Sequence, residues 1–232
     1  MTTKKILILP ALLILQLLTY AQTENDDFIY QYSSKQGFLE KEYDGNVTLD
    51  EVKKYGDFGL GTINGVDGEV VIYEKTFYRI DTEGKVKELN LSNKTPFVVL
   101  KDFAADTALN INNKTTLTEL KNIIDNLKTD QPFAVKITGK FSKLKSRSVY
   151  KQSKPYPTLA EIVKNQVEFN FENTDAVIIG FWYPEYLDGA NFPGYHLHCL
   201  VKDNKGGGHL LDCEILNAKV ELDISEGLII DY

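Results

Sequence analysis

The sequence predicts an α+β protein with mixed, largely antiparallel β-sheets and few helices. Stretches with strand character outnumber helical ones, and turn pairs such as Asp67-Gly68 and Asp188-Gly189 separate several of them as in hairpins. This order does not match the regular alternation of strand and helix that builds a doubly wound parallel sheet. The stretches in which β-branched and aromatic residues are bounded by turn residues are 69–81, 96–103, 132–144, 175–184, 195–203 and 207–224.

Three segments share a start signal for a helix, a Thr that can cap the first turn and a Glu three residues later that can bond back to it. These segments start at Thr48, Thr116 and Thr158. Behind Thr116 the apolar residues recur at helical spacing, which predicts a helix over residues 116–128. The helices behind Thr48 and Thr158 are expected to be shorter.

The first 21 residues have the features of an export signal and not of a folded element. Lys4 and Lys5 precede an apolar run from Ile6 to Leu18, and a small residue, Ala21, ends the segment. The run is shorter than the roughly 20 apolar residues that a membrane-spanning helix needs. We therefore expect cleavage after Ala21 and a mature protein in the periplasm or outside the cell, with no membrane partner.

The mature chain is acidic, and this limits the partners it can bind. Without Lys4 and Lys5 it carries 24 basic and 33 acidic residues, a net charge of about −9. Since the sequence also lacks a dense Lys/Arg cluster, nucleic acid and anionic lipid are poor partners. A small-molecule partner is expected instead.

All three histidines lie in one segment, GYHLHCLVKDNKGGGHLLD at residues 194–212. His196 and His198 are two residues apart, so their imidazoles point to the same face of a strand. The turn-rich KDNKGGG stretch lets the chain double back and bring His209 opposite them. Three neutral nitrogens that converge in this way could hold a divalent metal, and zinc with one open coordination position is the usual occupant. The alternative is a surface pair of histidines on a strand, against which the third histidine argues.

Cys199 and Cys213 are expected to be unpaired and buried like small apolar residues. Cys199 follows His198 and should point to the opposite face of the strand, whereas Cys213 lies four residues after His209 and should share its face. If the histidines converge, the two thiols therefore diverge. Because Cys199 faces away from the histidines, an open catalytic metal site is favoured over a closed structural one.

Beyond the histidines, the chain resembles the alpha-acetolactate decarboxylase family over nearly its whole mature length. The matching stretches are YDGNVTLDEVKKYGDFGLGTINGVDGEVVIYEKTFYRI (43–80), TPF (95–97), GKFSKLKSRSVYKQSKPYPTL (139–159) and IGFWYPEYLDGANFPGYHLHCLVKDNKGGGHLLD (179–212). The resemblance implies two similar α+β subdomains within residues 22–232, with a boundary near residue 130, and a homodimer. It also implies conversion of 2-acetolactate, a 2-hydroxy-3-keto acid, to acetoin and carbon dioxide, with one zinc ion held by His196, His198 and His209.

This reaction needs an electron sink, because loss of carbon dioxide from a β-keto acid leaves an enediolate. Zinc supplies the sink as a Lewis acid. The enediolate must then receive a proton on one face to give a single acetoin enantiomer, and the resemblance assigns this proton transfer to Glu69. It also places Thr62 in the pocket as a polar contact. On local sequence alone, Glu69 would be an exposed glutamate after a turn and Thr62 a core threonine.

Arg147 lies in SKLKSRSVYKQ, where Lys143, Lys145 and Arg147 alternate with small or apolar residues, as on the solvent face of a strand. The family motif has its arginine at this position. A guanidinium can bind a carboxylate through two parallel hydrogen bonds, which a lysine ammonium cannot do. The resemblance therefore assigns Arg147 to hold the carboxylate of the substrate.

Family members also carry a later glutamate that reaches back to the active site. Glu226 is the nearest candidate for it, and no surrounding motif supports this residue. Either Glu69 acts without a second carboxylate, or water and Glu226 take the place of the family's later glutamate.

Two other functions fit the same residues. One is another exported zinc hydrolase or lyase on a small acid, which would bind metal but form no acetoin. The other is a non-catalytic metal-binding protein, whose metal uptake would not depend on Arg147 or Glu69. Nitrogen ligands alone would also suit copper, iron or nickel.

Overall fold

The computed structural model describes residues 27–127 and 130–232. The predicted export signal, residues 1–21, lies outside this range and stays a prediction, as does the location that it implies. Within the described ranges, no helix has both the length and the apolar character needed to cross a membrane.

The described residues form thirteen strands and four α-helices. The strands are β1 (Phe28–Tyr32), β2 (Phe58–Thr62), β3 (Glu69–Tyr73), β4 (Thr76–Ile80), β5 (Val86–Glu88), β6 (Phe97–Lys101), β7 (Thr107–Ile111), β8 (Thr115–Thr116), β9 (Phe133–Ser148), β10 (Val167–Tyr183), β11 (Gly194–Val201), β12 (Gly207–Ile224) and β13 (Gly227–Asp231). The helices are α1 (Lys35–Leu39), α2 (Leu49–Val52), α3 (Leu117–Asp125) and α4 (Leu159–Lys164).

The strands form two sheets. The first has seven strands in the order β13-β1-β6-β2-β3-β4-β5, and only its β1–β13 pair is parallel. The second has the order β11-β10-β9-β12-β7, with β8 paired to β12, and is antiparallel throughout. The predicted α+β class with largely antiparallel sheets and few helices is therefore confirmed. The chain leaves the first sheet after Lys101 and returns to it at Gly227; a subdomain boundary near residue 130 stays a prediction.

The second sheet curls until two of its strands meet. Its strands β9, β10 and β12 are 16, 17 and 18 residues long, and the first residues of β12 pair with both β9 and β11. Gly207 and Gly208 lie at this junction, where an added Cβ would come within 2.2 Å of the Cys199 carbonyl oxygen and 2.3 Å of the Arg147 carbonyl oxygen, respectively. Only glycine fits so close to neighbouring backbone, which explains the glycine-rich stretch before His209.

All three predicted helix starts are capping boxes, at Thr48, Thr116 and Thr158. The helix predicted over 116–128 forms as α3 over Leu117–Asp125 and is therefore shorter than predicted. Position 128 lies outside the described residues. Every predicted strand stretch contains a strand, and 69–81 is the hairpin of β3 and β4. The sequence does not predict β2, since the glycines of FGLGT weaken strand propensity although the strand is buried throughout.

Two of the four apolar clusters among the described residues support the two sheets at the site. One lies between the sheets and joins Leu60 and Val71 of the first to Ile179 and Phe181 of the second. The other fills the inside of the curled second sheet, together with the buried side chains of α3. The site described below lies where the curled end of the second sheet meets the first.

Cys199 and Cys213 are buried and unpaired, as predicted. The prediction that the two thiols diverge is wrong, because both lie in the core of the second sheet. A register shift between Leu210 and Asp212 places one extra residue in β12. This bulge reverses the alternation of side chains, so Cys213 shares the face of Leu210 and not that of His209. Burial raises the pKa of both thiols to about 12, which keeps them protonated.

A buried ion pair joins the two sheets at one edge. Lys101 of β6 contacts Asp223 of β12, with 3.2 Å between Nζ and Oδ1, and both side chains are 3% exposed. Lys101 also pairs with the more exposed Asp27. Burial raises the pKa of Asp223 to about 6, from an ordinary value of 3.8, although Lys101 opposes this rise.

The contribution of Asp223 to stability should fall as pH rises through this range, whereas the three buried histidines, whose pKa values are lowered, contribute with the opposite sign. Between 3.8 and about 6 the folded state holds a proton on Asp223 that the unfolded chain has lost, so this contribution is complete at lower pH and disappears above about pH 6. We expect the fall to be on the order of 2–3 kcal/mol in the free energy of unfolding. Asp223→Asn should remove it in urea titrations across this range.

Asp27→Asn is the matched control for this experiment. It also removes a carboxylate from Lys101 but leaves Asp223 in place, so the fall should remain. The same pH dependence of the free energy of unfolding in the wild type and in Asp223→Asn would contradict the assignment.

Candidate active site

The three histidines converge at the curled end of the second sheet. His198 on β11 pairs directly with His209 on β12, and His196 lies two residues before His198 on the same strand. The ring centroids are 5.1 to 5.3 Å apart. One nitrogen from each ring lies within 4.8 Å of the other two. The structure therefore brings together the three residues proposed from the sequence as metal ligands.

The imidazoles are in the neutral form that binds metals. Burial lowers the pKa of His196 and His198 to about 3 and that of His209 well below its ordinary value. The Nδ1 of His198 lies 2.8 Å from the Val70 carbonyl oxygen. Since a carbonyl only accepts, this Nδ1 carries the proton and Nε2 presents a lone pair. Among the described residues, His198 Nε2 and His209 Nδ1 are buried without a hydrogen-bond partner, as expected of metal ligands.

Glu69 faces this group of histidines from the first sheet. Its Oε2 lies 3.3 Å from His198 Nε2, and its Oε1 lies 2.5 Å from Nη1 of Arg147. Burial raises the pKa of Glu69, whereas the Arg147 guanidinium opposes that rise. A lone pair and a carboxylate oxygen at this distance repel each other unless a cation or a proton lies between them. The donor set and its charge thus fit a divalent metal.

Arg147 lies near the end of β9, on the strand that neighbours β12. It is the direct ladder partner of His209, and its side chain is 13% exposed. The expectation from the local pattern alone, that Arg147 lies on a solvated strand face, is therefore wrong. Arg147 lies beside the histidines, and the carboxylate-binding role that the family motif implies stays a prediction.

Thr62 ends β2 and lines the same cavity. Its Oγ1 donates to the carbonyl oxygen of Gly68 at 2.7 Å, and Gly68 is the residue before Glu69 in the chain. The carbonyl oxygen of Thr62 accepts from Thr95 Oγ1 at 2.7 Å. The hydroxyl proton of Thr62 is thus used on the turn that presents Glu69. The residue was expected to make a polar contact in the pocket, and the structure adds that it holds this turn.

The histidines, Glu69 and Arg147 form one wall of a cavity of about 230 Å³. The remaining lining is mostly apolar, and parts of it come from α1 and α4. The apolar side chains are Phe38, Val66, Phe97, Val149, Leu159, Ile162, Val163 and Phe192. A cavity of this size and mostly apolar lining has room for a small molecule with apolar groups.

The family model described as alpha-acetolactate decarboxylase matches residues 29–232. The chain belongs to this family. The alpha-acetolactate decarboxylase of Methanosarcina mazei is 39% identical over 201 residues, which cover 86% of this chain and 70% of that protein. The alpha-acetolactate decarboxylase of Brevibacillus brevis is 39% identical over 196 residues, covering 84% and 69%. The chain is accordingly an enzyme, a carboxy-lyase of the acetolactate decarboxylase type.

The fold of the chain agrees with those of solved members of the family. The crystal structure of alpha-acetolactate decarboxylase from Bacillus subtilis strain 168 superposes with a TM-score of 0.85 at 34% identity, and the match covers 88% of each chain. A Staphylococcus aureus protein described as similar to alpha-acetolactate decarboxylase superposes with a TM-score of 0.84 at 26% identity.

Glu226, the sequence candidate for a second carboxylate, does not line the cavity. It is exposed in the turn between β12 and β13, where its backbone N–H donates to the Asp27 carbonyl oxygen at 2.7 Å. Among the described residues, Glu69 is the one carboxylate that lines the cavity. The possibility that Glu226 fills in is therefore wrong for this structure.

Sequence reasoning also missed residues that shape the site. The capping box at Thr158 predicts α4 but not that its Leu159, Ile162 and Val163 line the cavity. The short α1, which supplies Phe38, carries no strong helix signal because it contains Gly37 and has only five residues. The Val70 carbonyl that orients His198 is a backbone group, which residue types alone do not mark.

Proposed function

We propose that this protein decarboxylates 2-acetolactate to acetoin and carbon dioxide with one zinc ion at His196, His198 and His209. The observation that carries the proposal is the convergence of three neutral, buried imidazoles beside a Glu–Arg pair in a mostly apolar cavity. Zinc bound there would act as a Lewis acid that stabilises the negative charge developing on the ketone oxygen.

Arg147 is proposed to hold the carboxylate that leaves. Its guanidinium has five N–H donors, and the contact with Glu69 uses Nη1. A substrate carboxylate can therefore be gripped from the same fork, close to the histidines. This places the bond to be broken, between the carboxylate carbon and C2, at the polar wall of the cavity.

The reaction breaks that bond and forms a C–H bond. Carbon dioxide leaves without the electron pair, which passes into the adjoining carbonyl system, and C2 then takes up a proton. Glu69 is proposed to deliver this proton, because its carboxylate reaches the cavity from the first sheet, on one side of the site. Delivery from one side gives one acetoin enantiomer.

The apolar wall is proposed to seat the two methyl groups of the substrate. Side chains such as Phe38, Ile162 and Phe192 make this part of the cavity water-poor. Charge–charge contacts at Arg147 and Glu69 are stronger in such surroundings than in bulk water.

Incubation of the zinc-loaded protein with racemic acetolactate tests the proposal. We expect acetoin well above the spontaneous rate and one predominant enantiomer. Glu69→Gln, which keeps the shape but cannot donate a carboxyl proton, should lower kcat by about 10²- to 10⁴-fold. Metal binding with acetoin only at the spontaneous rate would overturn the proposed reaction, and full turnover by Glu69→Gln would overturn the role of Glu69.

A further inference from the structure

The proposed catalytic groups come from different sheets. Glu69 belongs to the β3–β4 hairpin of the first sheet, whereas Arg147 and the histidines belong to the second. The distance between Glu69 and Arg147 therefore depends on how this hairpin docks on the second sheet.

Two hydrogen bonds cross from the second sheet to the hairpin on either side of Glu69. The Nδ1 of His198 bonds to the Val70 carbonyl oxygen at 2.8 Å, and Val70 follows Glu69 in the chain. The Oγ of Ser148 donates to the Ile80 carbonyl oxygen at 2.7 Å, and Ile80 is the ladder partner of Glu69. One bond therefore fixes the strand of Glu69, and the other fixes its neighbour.

The bond from Ser148 is well placed to hold this geometry. Ser148 and Ile80 are both 0% exposed, so water does not compete for the bond. The same carbonyl oxygen also lies under the turn that leads into Glu69, since an added Cβ on Gly68 would come within 2.4 Å of it. Ser148 is the chain neighbour of Arg147, so the bond ties the end of β9 that carries Arg147 to β4, the ladder partner of the strand that carries Glu69.

We propose that Ser148 is a positioning residue that sets the Glu69 carboxylate relative to Arg147 and His198 by tying β9 to β4. It touches neither the substrate nor the metal and acts through the docking of the hairpin. The proposal rests on the proposed function, because it presumes that Glu69 delivers the proton.

Ser146 provides a matched control on the other side of Arg147. It is also 0% exposed, and its Oγ donates to the Gly207 carbonyl oxygen at 2.6 Å. That bond stays within the second sheet. Ser146→Ala therefore removes a similar buried hydrogen bond without loosening the hairpin that carries Glu69.

The test compares Ser148→Ala with Ser146→Ala in the zinc-loaded protein. Both should lower Tm by roughly 2–8 °C through loss of a buried hydrogen bond. Ser148→Ala should in addition lower kcat about tenfold or more and reduce the enantiomeric excess of acetoin, since a shift of the proton donor of a fraction of an ångström misaligns it. Ser146→Ala should keep kcat within about twofold and the enantiomeric excess of the wild type. Equal kcat losses, or an unchanged enantiomeric excess in Ser148→Ala, would overturn the proposal.

A second measurement needs no turnover and separates this proposal from the proposed function. In thermal unfolding, Glu69→Gln should lower the free energy of unfolding by less in the Ser148→Ala background than in the wild type. Its effect should instead add to that of Ser146→Ala. Additive losses with Ser148→Ala would refute the positioning role even if acetoin forms. If Ser148→Ala fails to fold, Ser148→Cys replaces it in the test, because its thiol keeps a weak donor. This variant should show an intermediate loss of enantiomeric excess. A wild-type enantiomeric excess in Ser148→Cys would refute the role.

Discussion

Replacing His198 with alanine should abolish binding of the proposed metal and lower kcat by about 10²- to 10³-fold, the scale of losing one donor that stabilises developing negative charge. The expected loss is this large because His198 lies close to the other two histidines and to Glu69, and its tautomer is fixed by the Val70 carbonyl oxygen. Metal content measured on the purified variant, together with acetoin formation, checks the result.

Cys199→Ala is the matched control, because Cys199 is the next residue of β11, is 0% exposed and points into the core of the second sheet. It should lose stability but keep one metal ion and nearly full kcat at temperatures below its Tm. Stoichiometric zinc in His198→Ala would refute the three-histidine site, whatever its activity.

Replacing Arg147 with lysine should lower kcat/KM for acetolactate by about 10²-fold or more, although the positive charge is kept. A lysine ammonium cannot contact Glu69 and a substrate carboxylate with the planar geometry of the guanidinium. Arg147→Ala should be worse, since it also leaves the buried Glu69 carboxyl without its cation, which raises the pKa of Glu69 further. Steady-state kinetics on all three proteins measure the effect.

Lys145→Ala serves as the control for charge at this end of β9. Lys145 lies two residues before Arg147 and pairs with Glu168, and both of these side chains are about 40% exposed. The substitution should leave kcat/KM within about twofold, since exposed ion pairs contribute little. A loss in Lys145→Ala together with wild-type kcat/KM in Arg147→Lys would mean that net charge, and not the guanidinium at position 147, binds the substrate.

The sequence predicts the histidine site well because its signal is local. His196 and His198 are two apart on one strand, a turn follows, and His209 lies opposite, so strand geometry alone brings the rings together. The capping boxes at Thr116 and Thr158 are equally local, and both form. What these signals do not contain is the pairing of distant strands. The positions of Glu69 and Arg147 follow from the contact between two sheets, and the sequence suggested them only through family resemblance.

The wrong prediction for Cys213 has a similar cause. Counting by twos from His209 assumes an unbroken strand, and a bulge is set by how β12 fits against β9 rather than by the residues themselves. The sequence also could not show that Glu226 lies outside the cavity. Its position depends on tertiary structure, because β13 returns to the first sheet directly after it.

That bulge has a consequence for how the strand of His209 can change. Ahead of Leu211 the odd-numbered side chain of His209 reaches into the cavity, whereas beyond it the odd-numbered Cys213 and Ile215 fill the interior of the barrel-like sheet. The extra residue, Leu211, therefore shifts the alternation of side chains along β12 by one position. Since Leu211 has no ladder partner on β9, a chain that lacks it should keep His209 opposite Arg147 and Cys213 opposite Leu144.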